Sequence, residues 1–337
     1  MRAFNVLLTA GSRRVPLVQA FRTALRSLGL PGSVIVTDVN PLSPAIHVAD
    51  RSYRVPMATD AEYLPEMLAL CEVEKIRLVV PTIDDELPLF GAAREQFLAL
   101  GTVVGCSSEE TALICNDKVE TCVRLRAAGV PAAATYLPSE LPKTAAPPLF
   151  VKPRAGRGAV GAFAIRSQRD LDFFLSYVPD PIVQEYLEGP EFTIDVMCDA
   201  TGSPVSIVPR ERVVIRAGVI DRGRTVNDPR LIALAVQACQ AIPFFGAVNI
   251  QCRMQGEQPV IFEINPRFSG GIPLTIQAGA DFPKMLIKMA LGRQVPAAIG
   301  EFKDDLWMTS FESAFFLEGS DLYAQAFEVR QRRKDVA

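Results

Sequence analysis

A polar side chain recurs at every second position on both sides of a short glycine-containing turn. Asn249 and Gln251 precede the turn, and Glu263, Asn265 and Arg267 follow it. Because successive side chains of a strand point to opposite faces, this period of two places all five on one face of a hairpin. A carboxylate beside amide oxygens suits Mg²⁺, which takes oxygen ligands and shares substrate phosphates, with Mn²⁺ as the alternative ion. A solvated sheet face is the other interpretation.

A second segment places a lysine directly before a glycine-rich stretch. The run Leu149–Pro153 contains Lys152 and continues into residues 154–161, which include three glycines and two arginines. Backbone N–H groups of such a loop, together with fixed cations, can hold a polyphosphate. The sequence therefore predicts a phosphate-binding loop, with a flexible hairpin as the alternative. The expected contacts come from Lys152, Arg154, Gly156, Gly158 and Gly161.

The segment Ile182–Val196 carries groups suited to a nucleoside. Glu185 follows an apolar strand start, and the backbone at Tyr186 and Leu187 can pair with an adenine edge. The carboxylate of Glu191 can accept hydrogen bonds from ribose hydroxyls. A β-hairpin with exposed carboxylates is the alternative interpretation of this segment.

Composition excludes several other kinds of chemistry. The 337 residues contain one histidine, His47, whereas an HExxH zinc helix needs two and a Ser-His-Asp triad would depend on that residue. The formal net charge is −3, which gives no overall basic field for nucleic acid or an anionic membrane. Seven cysteines form no CxxC pair, and the first apolar run is too short for a signal peptide. We therefore expect buried free thiols and a cytoplasmic protein without nucleic-acid or membrane partners.

The N-terminal third alternates short apolar strands with helical patterns. Strands predicted at residues 6–9, 34–37 and 78–81 indicate a doubly wound parallel sheet, whose ligands lie beyond the carboxyl ends of the strands. The turn Thr9–Arg14 lacks GxGxxG, so it is a weak dinucleotide site. Polar residues after the strands predict a crevice for a small polar or zwitterionic substrate. This substrate set is Ser12, Arg13, Asp38, Asp84 and Glu86.

The rest of the chain has a different pattern. A helix predicted over residues 117–128 leads to a proline-rich link at residues 138–148, after which the strands read as antiparallel hairpins. We expect three units, with boundaries at residues 1–105, 106–180 and 181–337.

In order and spacing, four segments resemble the ATP-grasp superfamily. They are Lys118, the Lys152 loop, residues 184–187 and residues 263–271. Asn249-Ile250-Gln251 followed by Glu-x-Asn-Pro-Arg is most similar to the carbamoyl phosphate synthetase large subunit and to single-module proteins like it. The resemblance implies an α/β and α+β chain, in which a doubly wound pre-ATP-grasp sheet is followed by a two-subdomain ATP-grasp fold, subdomain A then subdomain B.

The same resemblance implies roles for individual residues. Nucleotide contacts would come from Lys118, Lys152, the loop 154–161, Gln184, Glu185, Tyr186, Leu187 and Glu191. Metal contacts would come from Gln251, Glu263 and Asn265. Lys152 and Arg267 would be catalytic, Arg267 by stabilising the transferring phosphoryl group. Arg210 and Arg216 would face the acceptor, with surface charge as the alternative.

The function implied is that of an ATP-dependent carboxylate–amine ligase. A carboxylate would attack the γ-phosphate to form an acylphosphate, and an amine would then displace phosphate. The cofactors are ATP and Mg²⁺, the partners are a small-molecule carboxylate and amine, and a homodimer is the commonest soluble assembly. Three alternatives stay open: a carbamate or bicarbonate kinase, a nucleotide-binding module without turnover, and, with least support, a dinucleotide oxidoreductase.

Overall fold

The computed structural model describes residues 3–156, 158, 160–216 and 218–319. Arg157 and Ala159 of the predicted phosphate loop lie outside the described residues. Within the described part, none of the helices is long and apolar enough to cross a membrane.

The N-terminal unit is a five-stranded parallel sheet in the order β3-β2-β1-β4-β5. Its central strands are buried on both faces because helices cover them from both sides. Helix α1 shows the local cause: a proline in its first turn fixes the start, and Leu17, Val18, Phe21 and Leu25 form its buried face. The predicted doubly wound sheet is confirmed. Its elements are β1 Asn5–Leu8, α1 Val15–Ser27, β2 Val34–Asp38, α2 Pro44–Val48, β3 Arg51–Arg54, α3 Tyr63–Val73, β4 Ile76–Val80, a 3₁₀ turn Asp84–Glu86, α4 Leu87–Ala92, α5 Arg94–Ala99 and β5 Val103–Val104.

A four-stranded antiparallel sheet follows, in the order β6-β9-β7-β8. Helices α6 and α7 precede it and pack on strand β14, Gln258–Asn265, of the third sheet. The boundary predicted between residues 180 and 181 would separate β9 from β7, its hydrogen-bonded neighbour. We therefore propose that this subdomain extends through β9. Its elements, with the two helices, are α6 Glu109–Asn116, α7 Lys118–Ala127, β6 Thr135–Tyr136, a 3₁₀ turn Pro138–Glu140, β7 Leu149–Pro153, β8 Phe163–Ile165, α8 Gln168–Tyr177 and β9 Pro181–Glu185.

The third sheet has six strands in the order β14-β13-β10-β11-β12-β15, and every pair is antiparallel. One face carries Ile194, Val196 and Ile250, which pack with helices α7 and α9 in one core cluster. The other face is polar, as the alternation predicts. Its elements are β10 Glu191–Cys198, β11 Pro204–Arg216, β12 Val219–Thr225, α9 Pro229–Ala241, β13 Gly246–Gln255, β14 Gln258–Asn265, α10 Ile272–Gln277, α11 Phe282–Ala290 and β15 Trp307–Thr309.

Two arginines attach the loop after β14 to the N-terminal sheet. Arg14, directly before α1, donates to the carbonyls of Thr82 at 2.8 Å and Phe268 at 3.0 Å. Arg267 pairs with Asp84, which follows β4. Apolar packing supports the same attachment, because residues of α1, α10 and α11 share one core cluster. The loop after β14 is therefore held against the carboxyl ends of the parallel strands.

Candidate functional site: a cleft between two sheets

A cleft of about 290 Å³ lies between the four-stranded sheet and the polar face of the six-stranded sheet. It brings together many of the residues predicted to bind nucleotide and metal. Those lining it are Lys118, Lys152, Gly156, Gly158, Gln184, Glu185, Tyr186, Leu187, Glu191, Gln251 and Glu263. Arg212, Arg253 and Phe262 also line the cleft, and the sequence did not single them out.

The amino end of α7 holds the base of the phosphate loop. Asp117 caps the helix, because its Oδ1 accepts from the backbone N–H groups of Val119 and Glu120. Its Oδ2 accepts hydrogen bonds from Nη2 and Nε of Arg154 at 2.5 and 2.9 Å. Burial alone would raise the pKa of Asp117, but Arg154 and the two N–H groups outweigh it and lower the pKa. The side chain of Arg154 thus fixes the base of the loop. It is not among the described residues that line the cleft, and its predicted nucleotide contact stays a prediction.

Lys118 and Lys152 enter the cleft from two different elements, helix α7 and strand β7. Lys118 Nζ donates to the carbonyl of Gly156 at 2.9 Å, so the first lysine contacts the loop itself. Lys152 is 5% exposed on β7, and its Nζ donates to the carbonyl of Phe262 at 3.2 Å. Burial lowers the pKa of Lys152, and the negative charge of Glu263 opposes that effect. Gly161 lies against Pro153 and is not among the described lining residues.

The predicted adenine segment uses its polar side chains to hold the sheet. The Glu185 carboxylate accepts from the backbone N–H of Ala134 at 2.8 Å, and the Gln184 amide donates to Thr135 Oγ1 at 2.8 Å. These contacts fix the edge strand β6 to β9. All four residues of this segment, Gln184 and Glu185 together with Tyr186 and Leu187, line the cleft, and their nucleoside contacts stay a prediction.

Glu191 is held by two arginines. Arg212 Nη1 donates to one carboxylate oxygen at 2.7 Å, and Arg253 Nη2 donates to the other at 2.5 Å. Arg212 Nη1 also donates to Gln251 Oε1 at 3.0 Å. Sequence alternation contained a signal for Arg212, because it stands two residues after Arg210 on β11. The predicted ribose carboxylate is therefore part of an ion-pair group.

The predicted metal ligands lie side by side on β13 and β14. In the strand register Gln251 pairs with Glu263, and Asn249 pairs with Asn265. Asn265 Nδ2 donates to Glu263 Oε1 at 3.0 Å, and the buried Oδ1 of Asn249 has no hydrogen-bond partner. The described residues contain no cluster of three or more His, Cys, Asp or Glu, so this is a donor set of one carboxylate with amides. An unpaired buried acceptor beside carboxylate and amide oxygens fits a hard divalent cation.

Arg267 lies at the end of this row. Its Nε and Nη2 contact both oxygens of Asp84 at 2.9 to 3.0 Å, and Nη2 is 3.2 Å from Asn265 Oδ1. The side chains of Arg267 and Asp84 are 12% and 9% exposed. Asp84 was predicted to bind substrate. Both of its oxygens accept from Arg267, so any substrate contact of Asp84 stays a prediction.

The remaining members of the predicted substrate set differ in burial and in their partners. Glu86 is buried and accepts from Thr9 Oγ1 and Tyr63 Oη, both at 2.5 Å. Asp38 accepts from the backbone N–H groups of Ser12 and Asn40. Glu86 and Asp38 thus have partners within the N-terminal sheet and its turns, and their assignment to substrate stays a prediction. The exposed residues of the set are Ser12 and Arg13.

The two predicted acceptor arginines differ from each other. Arg210 is 1% exposed, donates to Asp195 at 2.8 Å and Ser269 at 2.9 Å, and is therefore a buried structural group. Its burial contradicts the surface-charge alternative, and the predicted acceptor contact of Arg210 stays a prediction. Arg216 has a side chain 65% exposed and pairs with Glu312 at 2.9 Å.

Two family models match the chain. Residues 6–104 match the model described as PylC-like, N-terminal domain, and residues 177–314 match the model described as ATP-grasp in the biosynthetic pathway with Ter operon. A 3-methyl-D-ornithine–L-lysine ligase of Methanosarcina barkeri is 24% identical over 264 residues, which cover 77% of this chain and 67% of that protein.

Two further likenesses come from larger proteins. The arginine-specific large chain of carbamoyl phosphate synthase from Bacillus subtilis is 24% identical over 74% of this chain, which spans 25% of that protein. The biotin carboxylase domain of the Hydrogenobacter thermophilus 2-oxoglutarate carboxylase, solved with MgADP and bicarbonate, superposes with a TM-score of 0.71. Its sequence identity is 17%, over 91% of this chain and 74% of that one.

The fold is similar to that of the biotin carboxylase domain, and the C-terminal part of the chain matches an ATP-grasp family model. Residues 177–314 match an ATP-grasp family model, and residues 6–104 match the N-terminal model of a PylC-like protein. The relatives of this chain include a ligase and the large chain of carbamoyl phosphate synthase. The resemblance inferred from the ordered motifs is thereby confirmed.

Proposed function

We propose that this chain is an ATP-dependent carboxylate–amine ligase that acts through an acylphosphate. Mg-ATP binds in the cleft between the four-stranded and six-stranded sheets. The observation that carries the proposal is the placement of Lys118, Lys152 and the glycine loop in one cleft with Gln251 and Glu263. Cations and backbone N–H groups thus meet oxygen ligands in one site, which is the arrangement that phosphoryl transfer from a metal–nucleotide complex needs.

Each group has a defined task in this proposal. Lys118 and Lys152 bind phosphate oxygens, while Tyr186 and Leu187 contact the adenine. Gln251, Glu263 and Asn265 hold Mg²⁺, with Asn249 as a further acceptor, and Mn²⁺ is the substitute ion. The bound ion supplies positive charge to the phosphates in the transition state.

The proposed reaction has two steps, formation of an acylphosphate and its displacement by an amine. A carboxylate oxygen attacks the γ-phosphorus, the bond from the γ-phosphorus to the bridging oxygen breaks, and ADP leaves. An amine then attacks the acyl carbon, inorganic phosphate leaves, and the amine loses a proton to water. Arg267 stabilises the phosphoryl group during its transfer, and no histidine is required.

Amino acids are the first substrates to test. The similar protein of Methanosarcina barkeri is named as a ligase that joins two amino acids. The similar carboxylase domain was solved with bicarbonate, which supports including bicarbonate as the competing acceptor. A buried polar face next to the proposed metal position also suits small polar substrates better than apolar ones.

Hydroxylamine trapping tests the proposal directly. The full chain is incubated with Mg-ATP, hydroxylamine and pooled amino acids, and hydroxamate and ADP are both measured. The expected result is hydroxamate formed in step with ADP, after which subdivision of the pool identifies the acid. ADP formed only with bicarbonate and without hydroxamate would overturn the ligase in favour of the kinase. Nucleotide binding without ADP formation would indicate a binding module.

Matched variants connect the result to the cleft. Arg267→Ala is expected to lower the rate of ADP formation by ~10²–10³-fold, as removal of other transition-state charge stabilisers does. Glu263→Ala is also expected to lower this rate, because it removes the one carboxylate of the proposed metal position. Arg222→Ala removes an arginine that is 61% exposed and is the control. Equal rates in all three variants would contradict the assignment of this cleft.

A further inference from the structure

Arg212 connects three parts of the cleft through one buried guanidinium. Its side chain is 5% exposed. Nη1 donates to Glu191 at 2.7 Å and to Gln251 Oε1 at 3.0 Å, and Nη2 donates to the carbonyl of Gly218 at 2.7 Å. These partners belong to strand β10, to strand β13 and to the turn between β11 and β12. Arg212 therefore fixes their relative positions.

The turn that carries Gly218 touches the phosphate loop. A Cβ atom on Gly218 would lie 2.9 Å from the Cα and carbonyl carbon of Gly158, which leaves room for glycine alone. Both residues have positive φ, +74° for Gly218 and +72° for Gly158, a conformation that glycine adopts without strain. A continuous set of contacts thus runs from Gln251 through Arg212 and Gly218 to the phosphate loop.

The chemistry of Gln251 allows it to serve two partners. An amide oxygen has two lone pairs, so Oε1 can accept from Arg212 and face a divalent cation at the same time. Partners of metal ligands orient those ligands and strengthen metal binding. The position of Arg212 suits this task, because burial restricts its motion and its planar group holds several acceptors in fixed geometry.

Glu191 is the second end of the connection. It is held by Arg212 and by Arg253, and it lines the cleft on the side assigned to the ribose. Burial lowers the pKa of Arg212, and the charge of Glu191 opposes that effect. Loss of the guanidinium would free Gln251, the Gly218 turn and one oxygen of Glu191 together.

We propose that Arg212 is a positioning residue that couples divalent-ion binding at Gln251 to nucleotide binding at Glu191 and the phosphate loop. This inference rests on the proposed function, because it requires that nucleotide and metal occupy the cleft. It adds a coupling between the two ligands, which can be measured without turnover.

The test compares nucleotide affinity with and without the ion. The dissociation constant of ADP is measured by calorimetry on the full chain, once with Mg²⁺ and once with chelator. The ratio of the two constants reports the coupling. Arg212→Ala is expected to bring the ratio at least about fivefold closer to one, since couplings of this kind amount to 5–150-fold. Arg212→Lys keeps the charge but not the three-way contact, so an intermediate ratio is expected.

The control is Arg224→Ala on the same sheet. Arg224 also pairs with two carboxylates, Glu211 and Asp305, but it is not among the described residues that line the cleft. Its ratio is expected to equal that of the wild type. Circular dichroism and urea unfolding verify that each variant is folded, and Arg212→Lys decides the matter if Arg212→Ala does not fold.

Two negative results have different meanings. If the wild type binds ADP neither with Mg²⁺ nor without it, the proposed function fails. The second result is that the wild type shows the coupling and Arg212→Lys keeps the wild-type ratio, whether or not Arg212→Ala can be measured. In that case the inference about Arg212 is overturned and the proposed function stands.

Discussion

Arg267 and Asp84 form a two-pronged ion pair although they lie 183 residues apart in the chain. Arg267 Nε is 3.0 Å from each oxygen of Asp84, and Nη2 is 2.9 Å from Oδ2. The arginine follows β14 of the six-stranded sheet, whereas the carboxylate follows β4 of the parallel sheet. The N-terminal unit therefore holds a residue that we assign to the reaction.

Asp84→Asn tests that role. The amide keeps the size of the side chain but loses its charge and one acceptor, so Arg267 is less firmly oriented. We expect kcat for ADP formation to fall by roughly 10-fold, the lower end of the effects seen for outer partners of active groups. The dissociation constant of ADP should stay within a factor of about two, because Asp84 lies outside the described lining of the cleft.

Asp85→Asn is the matched control for this change. Asp85 is the exposed neighbour of Asp84 in the same 3₁₀ turn, so the substitution alters charge at nearly the same place. If Asp85→Asn lowered kcat as much as Asp84→Asn, the effect would come from the general field and not from the ion pair.

Glu263→Gln tests the metal position. Glu263 is the one carboxylate in the donor set that the structure describes on β13 and β14, so its charge dominates the attraction for a divalent ion. The Mg²⁺ concentration that gives half of the enhancement of ADP binding should rise at least about tenfold. Titration with Mg²⁺ and then Mn²⁺ measures it. Glu257→Gln, on the exposed turn of the same hairpin, should leave both titrations unchanged.

Local sequence signals predicted the elements of this fold well. Strand β7 has the predicted bounds Leu149–Pro153, and the polar alternation at Asn249 and Gln251 falls on one sheet face as expected. These signals are local, because the alternation of polar and apolar residues along a strand decides which face of the sheet each side chain occupies. The predicted boundary after residue 180 stays a prediction. It divides β9 from β7, and their pairing joins strands that are distant in sequence.

Side-chain partners were the part that sequence could not supply. Glu86 and Arg210 are charged residues near predicted ligand positions, yet both are buried in contacts with distant segments. The local sequence around a charged residue is the same whether a ligand or a buried side chain neutralises its charge. The distinction requires knowledge of which segments meet, as for Arg210 with Asp195 and Ser269.

Glu86 makes stability depend on pH. Burial raises the pKa of Glu86 from 4.5 to about 7, although hydrogen bonds from Thr9 and Tyr63 oppose the rise. A carboxyl group whose pKa is higher in the folded state than in the unfolded state stabilises the fold fully at pH values below its unfolded-state pKa. This stabilisation is lost as the pH rises through the folded-state pKa. The wild type should therefore lose up to about 3 kcal/mol of unfolding free energy between pH 4.5 and about 7.

Glu86→Gln removes this titration and keeps a side chain of similar shape. The free energy of unfolding of Glu86→Gln relative to the wild type should increase from pH 4.5 to about 7 and then stay constant. Urea unfolding followed by circular dichroism at several pH values measures the difference. Glu95→Gln, on the exposed side of α5, is the control. A pH-independent difference between Glu86→Gln and the wild type would contradict the buried titration.

Gly271→Ala tests whether Arg210 is a structural group. A Cβ atom at Gly271 would lie 2.3 Å from Arg210 Nη1 and 2.4 Å from Ile220 Cγ2. Arg210 cannot move aside without loss, because Asp195 and Ser269 hold its buried guanidinium. Overpacking of this kind costs about 1–3 kcal/mol, so the free energy of urea unfolding should fall by that amount.

Gly319→Ala separates overpacking from the general effect of replacing glycine, because a Cβ atom there meets no atom within 4 Å. Its free energy of unfolding should match that of the wild type. Equal stability of Gly271→Ala and Gly319→Ala would mean that Arg210 yields easily to the added methyl group. Arg210 would then not be the rigid buried group that its contacts with Asp195 and Ser269 indicate. A loss confined to Gly271→Ala supports a rigid Arg210 that holds the loop after β14, and with it Arg267, against the sheet.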